Sequence, residues 1–337
     1  MQSGNTDTTC IIAGAGISGL LAARSLEQAG IPVIVLEEAR VVGGRLSTSR
    51  IEDGVFDDGA QFFTVRDPRF ASLVAAWQTE DVVTEWSRGF ARPDGSNNQD
   101  GHPRYVGMGG MAAIPAHLAH GLDVRTGTRV AAVQQSGARW YVTSDTGTTV
   151  SGDALLLTPP AEQSLALVNA GGYALPSVTR AALEHIEYTR CIAVLALLDG
   201  ASGVPEPGGV QYSGQNGEGE PVWWLADNRR KGASPQASAI TIHAGPCFSR
   251  EHWDRTDDEV GAALLETVNH FVDSRVRVVR TRRWRYSQPV EARAEPCLVA
   301  AETPPLVFAG DAFGGAKVEG AALSGLAAAE QIRSLLL

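Results

Sequence analysis

Three glycines and one glutamate near the start of the chain have the types and spacing that bind a dinucleotide. Gly14, Gly16 and Gly19 form a G-x-G-x-x-G turn, and Glu37 follows eighteen residues after the last glycine. The first glycine allows a tight turn, the second lets the backbone approach a pyrophosphate, and the third lets a helix pack closely on a strand. A carboxylate at Glu37 accepts the hydroxyls of an adenosine ribose and repels a 2′-phosphate. The spacing therefore predicts a dinucleotide site.

The segments around these residues predict a strand, a helix and a second strand. Apolar Cys10–Ala13 precedes the turn, Leu20–Ala29 favours a helix that ends at Gly30, and 32–36 is typical of a buried strand. Bound phosphates then lie at the helix N-terminus, where N–H groups and the helix dipole favour negative charge. A plain strand–helix–strand unit with a solvated glutamate is the alternative, and the complete pattern favours nucleotide binding.

The composition is typical of a globular protein with two domains or one interrupted domain. The chain has 337 residues, 44% hydrophobic and 20% charged, with a net charge of −10. This charge argues against nucleic acid or an anionic membrane as the main partner. We find no signal peptide pattern and therefore expect a cytoplasmic location, and the scattered cysteines predict reduced thiols and no metal site.

Predicted elements extend through the rest of the chain. A helix near 109–121 is followed by strands near 123–125, 128–133, 140–143 and 154–157. Beyond it we expect helices at 162–168, 178–186 and 257–271, strands at 191–198, 222–226 and 239–243, and mobile loops at 93–104 and 200–220. The C-terminal part returns to a buried strand at 306–309 and a helix of small residues. If this strand joins the first sheet, both ends of the chain build the nucleotide domain.

Three further motifs favour FAD over NAD, because a flavin dinucleotide must also be held at its ribitol and ring ends. Gly43-Gly44-Arg45 provides backbone approach and a guanidinium for the pyrophosphate. Asp58-Gly59-Ala60-Gln61 is a small-residue turn that can lie against a flat ring. Gly310-Asp311 precedes a helix whose N-terminus can stabilise the reduced flavin anion.

These motifs together resemble the flavin-containing amine oxidase superfamily, and the longer ones resemble the renalase family, especially its bacterial members. The longer motifs include "GGRLSTSR", "DDGAQFFTVRDPRF", "WWLADNRRKG" and "FAGDAFGGAKVEGAALSG". The resemblance implies an α/β and α+β fold with a Rossmann-type FAD-binding domain, like p-hydroxybenzoate hydroxylase, and a mixed-sheet substrate domain. We predict an FAD-binding domain from 1–66, 105–160 and 291–337, and a substrate domain from 67–104 and 161–290.

The resemblance also implies which residues hold a noncovalent FAD. The expected adenosine, pyrophosphate and turn contacts are Gly14, Ala15, Gly16, Ile17, Ser18, Gly19, Glu37, Glu38, Gly44, Arg45 and Val130. The expected flavin contacts are Gly59, Ala60, Gln61, Phe62, Gly310, Asp311, Gly320, Ala321 and Ala322. The cysteine nearest the last strand, Cys297, precedes it by about ten residues and lies in no flavin-tethering motif.

Renalases oxidise misreduced nicotinamide dinucleotides, in which hydride was added at ring carbon 2 or 6. The resemblance therefore implies a dihydronicotinamide dinucleotide substrate, with O2 reduced to H2O2. A dihydropyridine that loses hydride becomes an aromatic cation, so no catalytic base is needed. The absence of a clear acid/base pair in the sequence agrees with such chemistry. The isomer, the choice of NAD or NADP and the oligomeric state stay open, and a monomer is compatible with the sequence.

Seven polar or aromatic residues are the candidate substrate contacts, and each also has a purely structural explanation. His243 could donate to a carboxamide, Asn228 and Arg229 could contact amide or phosphate, and the others could form walls. The full set is His243, Trp284, Tyr286, Gln288, Gln61, Asn228 and Arg229. An amine oxidase is the first alternative, although we see no clear aromatic pair for an amine cage. A desaturase or porphyrinogen oxidase on the same fold is a weaker alternative. A nonenzymatic FAD-binding sensor or partner-binding module is an alternative from a different class.

Overall fold

The computed structural model describes residues 8–212 and 219–337, which form two compact units. Unit 1 comprises the described part of Met1–Gly44 together with Pro115–Glu187 and Gln288–Leu337. Unit 2 comprises Arg45–Ile114 and the described part of Tyr188–Ser287. No helix among the described residues combines the length and apolar character needed to cross a membrane.

A six-stranded sheet forms the centre of unit 1, in the order β17-β18-β11-β1-β2-β7. All neighbours are parallel except β17, which is antiparallel at the edge. The strands are β1 (Cys10–Ala13), β2 (Val33–Leu36), β7 (Val124–Arg125), β11 (Ala154–Leu157), β17 (Leu298–Glu302) and β18 (Pro305–Phe308). Strand β18, from the C-terminal part of the chain, therefore pairs with β11, from its middle. The predicted Rossmann-type sheet is confirmed.

Helices and a small second sheet complete unit 1. The helices are α1 (Ile17–Gln28), α3 (Ala113–Ala119), which begins in unit 2, α4 (Ala161–Ala170), α5 (Ser177–Glu184) and α8 (Val318–Leu336). The second sheet contains β8 (Val130–Ser136), β9 (Arg139–Ser144) and β10 (Thr149–Gly152). Helices α1 and α8 pack together at Gly325, where an added Cβ would lie 2.1 Å from the carbonyl oxygen of Ser18.

A seven-stranded sheet in the order β16-β12-β15-β14-β13-β5-β6 forms the centre of unit 2. Its strands are β5 (Val83–Ala91), β6 (Asn97–Gly107), β12 (Cys191–Leu198), β13 (Gly209–Gln211), β14 (Val222–Asp227), β15 (Ser238–Ala244) and β16 (Val276–Trp284). The other elements are the hairpin β3 (Thr48–Ile51) and β4 (Gly54–Asp57), with α2 (Pro68–Thr79), α6 (Pro246–Glu251) and α7 (Asp257–Thr267).

The two faces of this sheet have different coverings, because successive strand residues point to opposite faces. On one face, aliphatic residues such as Val194 and Ile242 pack with Val260 and Leu264 of α7. On the other face, Phe56 of the hairpin packs against Leu195 and Leu197. We call this second face the site face.

The compact units divide the chain at other residues than the predicted domain boundaries. Residues 161–187 belong to unit 1, because α4 packs on β8. Residues 45–66 and 105–114 belong to unit 2, because the hairpin contacts β15 and because β6 pairs with β5. Which unit performs which function stays a prediction.

The predicted mobile loop at 93–104 is wrong, because most of it lies in the paired strand β6. This strand is at the sheet edge, where polar side chains face solvent without loss of backbone pairing. The predicted loop at 200–220 contains the short strand β13, and its residues 213–218 lie outside the described part.

The close approach of α1 and α8 gives a prediction for Gly325. We expect Gly325→Ala to lower the free energy of unfolding by about 1–3 kcal/mol, because the methyl group meets the backbone of Ser18. Urea unfolding would measure this, with the exposed Glu330→Ala on the same helix as the control. A gain of about 1 kcal/mol, the helix propensity of alanine over glycine, would contradict the close packing.

Candidate active site

The glycine turn of unit 1 has the geometry that a dinucleotide turn requires. Gly14 has a φ of +99°, and an added Cβ there would lie 2.4 Å from Oγ1 of Thr158. A Cβ on Gly19 would lie 2.1 Å from the carbonyl oxygen of Gly14. A Cβ on Gly16 would meet no atom of the described residues within 4 Å. The first and third glycines are therefore required by packing, whereas the second leaves an open approach to the backbone, which fits a pyrophosphate.

The N-terminus of α1 begins at this turn and is open to an anion. Gly16 is the N-cap, no side chain caps the helix, and its first turn has no acidic residue. The hydroxyl of Ser18 is buried and has no partner among the described residues. The partial positive charge of the helix end therefore meets no carboxylate of the helix itself.

Glu37 follows β2 and is held by backbone groups. Its carboxylate accepts from the N–H groups of Ala15, at 2.7 Å, and Ala39, at 2.9 Å. Burial raises the pKa of Glu37, and the two hydrogen bonds oppose that shift. Each carboxylate oxygen has a second lone pair, so these contacts leave acceptor capacity for ribose hydroxyls.

The other predicted cofactor residues of unit 1 occupy different positions. Gly44 has a φ of +54°, and its added Cβ would lie 3.7 Å from Cα of Gly16. Glu38 is exposed, and its carboxylate lies 4.0 Å from Arg129. Val130 begins β8, near a cavity of about 100 Å³ lined in part by Leu36, Thr128, Val142 and Ser144.

The C-terminal cofactor candidates lie at the end of β18 and in α8. The N–H of Gly310 donates to the hydroxyl of Ser324 at 2.9 Å, and Asp311 is largely buried. An added Cβ on Gly320 would lie 2.0 Å from the carbonyl oxygen of Gly315, so this glycine is required by packing. Ala321 and Ala322 follow it in the helix and are buried.

The site face of unit 2 brings three predicted residues around one carbonyl group. The carbonyl oxygen of Asp58 accepts from Nε1 of Trp284 at 2.7 Å and lies 3.2 Å from Nε2 of His243. Nε2 of Gln61 lies 3.4 Å from the same His243 nitrogen. Trp284 ends the edge strand β16, and His243 lies on β15, with β12 between them.

The contacts of His243 define its tautomer and its charge. Nε2 of Gln61 donates to the carbonyls of Asp57 and Gly59, so both of its hydrogens are used. The proton on Nε2 of His243 therefore goes to the Asp58 carbonyl, which only accepts. Burial lowers the pKa of His243 to about 4, so the ring is neutral at pH 7 with Nδ1 as its acceptor.

Asp57, which precedes this turn, is the most connected residue of the site face. Its carboxylate accepts from Oγ1 of Thr48 at 2.6 Å and the N–H of Met111 at 2.7 Å. Its other carboxylate oxygen lies 2.7 Å from Nζ of Lys231, and both side chains are at most 1% exposed. The pairing of Asp57 with Lys231 was not predicted from the sequence, although both residues lie in the motifs quoted above. Two features of the sequence could have indicated this pair. Asp57 directly precedes Asp58 in "DDGAQ", and Lys231 is a lysine in a chain rich in arginine.

The structure gives Asn228 a role inside unit 2. Its amide oxygen accepts from the N–H of Asp57 at 3.2 Å, and its amide nitrogen donates to Thr241 and to the carbonyl of Ala239. Asn228 is 0% exposed, so in this structure its amide serves contacts inside unit 2, and the expected contact with substrate stays a prediction. The next residue, Arg229, is exposed.

Arg45 and the residues near it connect two segments of unit 2. Nη1 of Arg45 donates to the carbonyls of Tyr286 and Ser287, each at 3.2 Å. Its own carbonyl accepts from the N–H of Ala60 at 2.8 Å, and a Cβ on Gly59 would lie 2.1 Å from that oxygen. Arg45 therefore holds the turn before Gln61 in addition to any contact with phosphate.

Aromatic side chains of unit 2 form groups that the sequence analysis missed. Phe62 packs with Trp86, Phe90 and Trp224, at ring centroid distances from 5.1 to 6.4 Å. Tyr286 contacts Tyr188 edge to face, at 5.6 Å and 81°. Trp284 is the last residue of β16, and Tyr286 lies beyond the end of this strand. The remaining candidate, Gln288, belongs to unit 1.

Comparisons with known proteins agree with these features. Residues 12–77 match the NAD(P)-binding Rossmann-like domain. A curated relative, a possible lysine-specific histone demethylase 1 from Drosophila melanogaster, is 52% identical over 54 residues, which are 16% of this chain and 6% of that protein. An L-amino acid dehydrogenase from Synechocystis is 32% identical over 81 residues, covering 24% of this chain. The chain thus spans only 6% and 17% of the lengths of these two relatives.

Two other proteins are similar over nearly their whole length. Renalase from Mus musculus is 21% identical over 319 residues, which cover 90% of this chain and 92% of that protein. A solved structure of putrescine oxidase bound to putrescine has a TM-score of 0.74 and 16% identity, and covers 97% of this chain and 99% of its own. The fold of the chain is therefore similar to that of this putrescine oxidase structure.

The match that covers most of the chain is to the flavin containing amine oxidoreductases. It extends over residues 85–333, and the glycine turn that precedes this range fits FAD as the cofactor. The chain belongs to the family of flavin-containing amine oxidoreductases.

Proposed function

We propose that this flavoenzyme oxidises 2- or 6-dihydro isomers of NAD(P)H to NAD(P)+, as the renalase resemblance implies. FAD, when bound, would accept a hydride from the dihydropyridine; the two electrons and one proton would then pass to O2, and a second proton from solvent would complete H2O2. The observation that carries the proposal is the neutral, hydrogen-bonded His243 at the centre of the site face. The end-to-end similarity to mouse renalase supports it.

The residues of unit 1 bind the cofactor in this proposal. The open backbone at Gly16 and the uncapped N-terminus of α1 receive the pyrophosphate, and Glu37 accepts the ribose hydroxyls. In the proposed complex Val130 would lie near the adenine, and the carboxylate of Asp311 would accept a hydrogen bond from a ribitol hydroxyl. In these roles backbone N–H groups bind the phosphates of the dinucleotide, and carboxylates accept hydrogen bonds from its hydroxyl groups.

The residues of unit 2 bind and orient the substrate ring. Hydride loss from a dihydropyridine releases no proton, so the site needs positioning and exclusion of water more than a base. His243 offers Nδ1 as an acceptor to a carboxamide N–H, which reverses the donor role expected from the sequence. Trp284, locked by its hydrogen bond to Asp58, forms an apolar wall.

Oxidation of a small amine is the second candidate, favoured by family membership. An amine cage would need an aromatic pair, and Tyr188 and Tyr286 are in contact. An amine cage places two aromatic faces parallel on either side of the substrate. These two rings lie at 81° to each other, so one presents its edge to the other. The pair therefore fits a packing contact better than a cage.

The role of Glu37 gives a prediction for FAD affinity. We expect Glu37→Ala to weaken FAD binding roughly 10- to 100-fold, because charge-assisted hydrogen bonds to the ribose are lost. Fluorescence quenching on titration with FAD would give the Kd, with the exposed Asp123→Ala as the control. An unchanged Kd would remove Glu37 from the ribose site.

The substrate prediction concerns reduction of the flavin without oxygen. We expect rapid loss of flavin absorbance on mixing with 2- or 6-dihydro NAD, and little change with 4-dihydro NADH. Stopped-flow mixing with borohydride-reduced NAD, which contains all three isomers, would measure this, with purified NADH and putrescine as separate comparisons. Rapid bleaching by putrescine would favour the amine oxidase candidate. A flavin that no reductant bleaches would favour a nonenzymatic module.

The neutral state of His243 gives a pH prediction. Because its pKa is lowered to about 4, we expect the rate constant of flavin reduction to stay constant from about pH 8 to about pH 6. It should fall only as the pH approaches 4, when the ring gains a proton. A decrease with an apparent pKa near the usual histidine value, absent in His243→Gln, would contradict the neutral, buried ring.

A further inference from the structure

The buried ion pair of Lys231 and Asp57 has a composition that is unusual for this chain. Among the 28 basic residues, only Lys231 and Lys317 are lysines, and Lys317 is exposed. The chain therefore uses arginine almost everywhere, yet its buried cation beside Asp57 is a lysine. Nζ of Lys231 also lies 5.2 Å from the ring centroid of Trp86.

The hydrogen bonds of Asp57 explain this choice of residue. One carboxylate oxygen is used by Thr48 and Met111, so only the other oxygen is left for a cation. A guanidinium binds a carboxylate best through two parallel hydrogen bonds, whereas an ammonium is a compact point charge that suits a single oxygen. Lysine therefore matches the one remaining position.

The ion pair is connected to the site through the backbone of Asp57. Its carbonyl accepts from Gln61 and from Thr241, and the next carbonyl, that of Asp58, holds His243 and Trp284. The turn after β14 supports the pair, because the backbone N–H of Lys231 donates to the carbonyl of Asp227 at 2.9 Å.

We propose that Lys231 is a positioning residue, which through Asp57 fixes the segment Asp57–Gln61 and so the rings of His243 and Trp284. Loss of the ammonium alone leaves a buried carboxylate without its cation, which then moves or takes up a proton. In a variant that lacks both charges, an asparagine at position 57 can still accept the hydrogen bonds from Thr48 and Met111 through its amide oxygen. The kinetic part of this proposal rests on the proposed function, and the structural part does not.

The charges that face His243 give a readout that packing alone would not change. These groups are Asp57, Lys231, Asp58 and Arg282. The carboxylate of Asp58 accepts hydrogen bonds from Ser47 and Ser49. Arg282 and His243 both pair with Ala193, on opposite sides of β12. The Lys231 ammonium lowers the pKa of His243, and the Asp57 carboxylate raises it. Removing the ammonium while Asp57 stays ionised therefore raises this pKa.

The experiment compares K231M, D57N and the double variant, with R230M as the matched control. Arg230 is in the same turn but pairs with Glu206 at the surface. Histidine imidazole signals, assigned with His243→Gln, are followed by NMR against pH in the FAD-loaded protein. We expect the pKa of His243 to rise by about one unit in K231M, to return at least halfway in the double variant, and to stay unchanged in R230M.

Flavin reduction by 6-dihydro NAD is measured on the same proteins. We expect K231M to lower the rate constant at least tenfold and the double variant to recover most of it. Unchanged His243 titration and an unchanged rate in K231M would overturn the proposal, as would a double variant no better than K231M. A wild-type protein that 6-dihydro NAD does not reduce would contradict the proposed function, and the titration would still decide the role of Lys231.

Discussion

The carboxylate of Asp57 is the interaction on which the site face of unit 2 depends. It is 0% exposed and meets the ammonium of Lys231, a hydroxyl and a backbone N–H. A buried carboxylate is stable only when such partners surround it, so the hairpin, the turn after β14 and the start of α3 must keep their positions together. The Asp58 carbonyl is fixed as a consequence, and with it the tautomer of His243.

This arrangement makes the site suitable for hydride transfer without a base. The neutral imidazole cannot act as an acid near pH 7, and its Nε2 proton is already used by a carbonyl oxygen. For a substrate that becomes aromatic on losing hydride, the protein needs only to orient the substrate ring and to exclude water from it. The chemistry that the renalase resemblance implies and the electrostatics of the site face therefore agree.

Much of the fold could be predicted from local sequence patterns. Buried runs such as Cys10–Ala13 and Cys191–Leu198 are apolar at every position, and the structure begins and ends these strands at the same residues. The edge strand β6 was missed because one face is open to solvent, so polar residues do not weaken it. Helix α4 belongs to a different compact unit from most of the predicted substrate domain, because it packs on β8.

The candidate site was less predictable, since its important contacts are between residues far apart in the chain. The glycine turn has a spacing typical of dinucleotide binding, so roles for Gly14, Gly16 and Glu37 could be predicted from the sequence. Asp57 and Lys231 are separated by more than half of the chain, and no periodicity relates them. The donor role expected for His243 stays a prediction, because tautomers depend on hydrogen-bond partners, which sequence does not show.

The most direct test of hydride transfer without proton transfer is a pair of isotope effects on flavin reduction. Anaerobic reduction by 6-dihydro NAD would be measured in H2O and D2O, with hydrogen or deuterium at the reacting carbon. The account predicts that deuterium on carbon slows reduction and that D2O leaves the rate constant unchanged. A large effect of D2O, with little effect of deuterium on carbon, would contradict it.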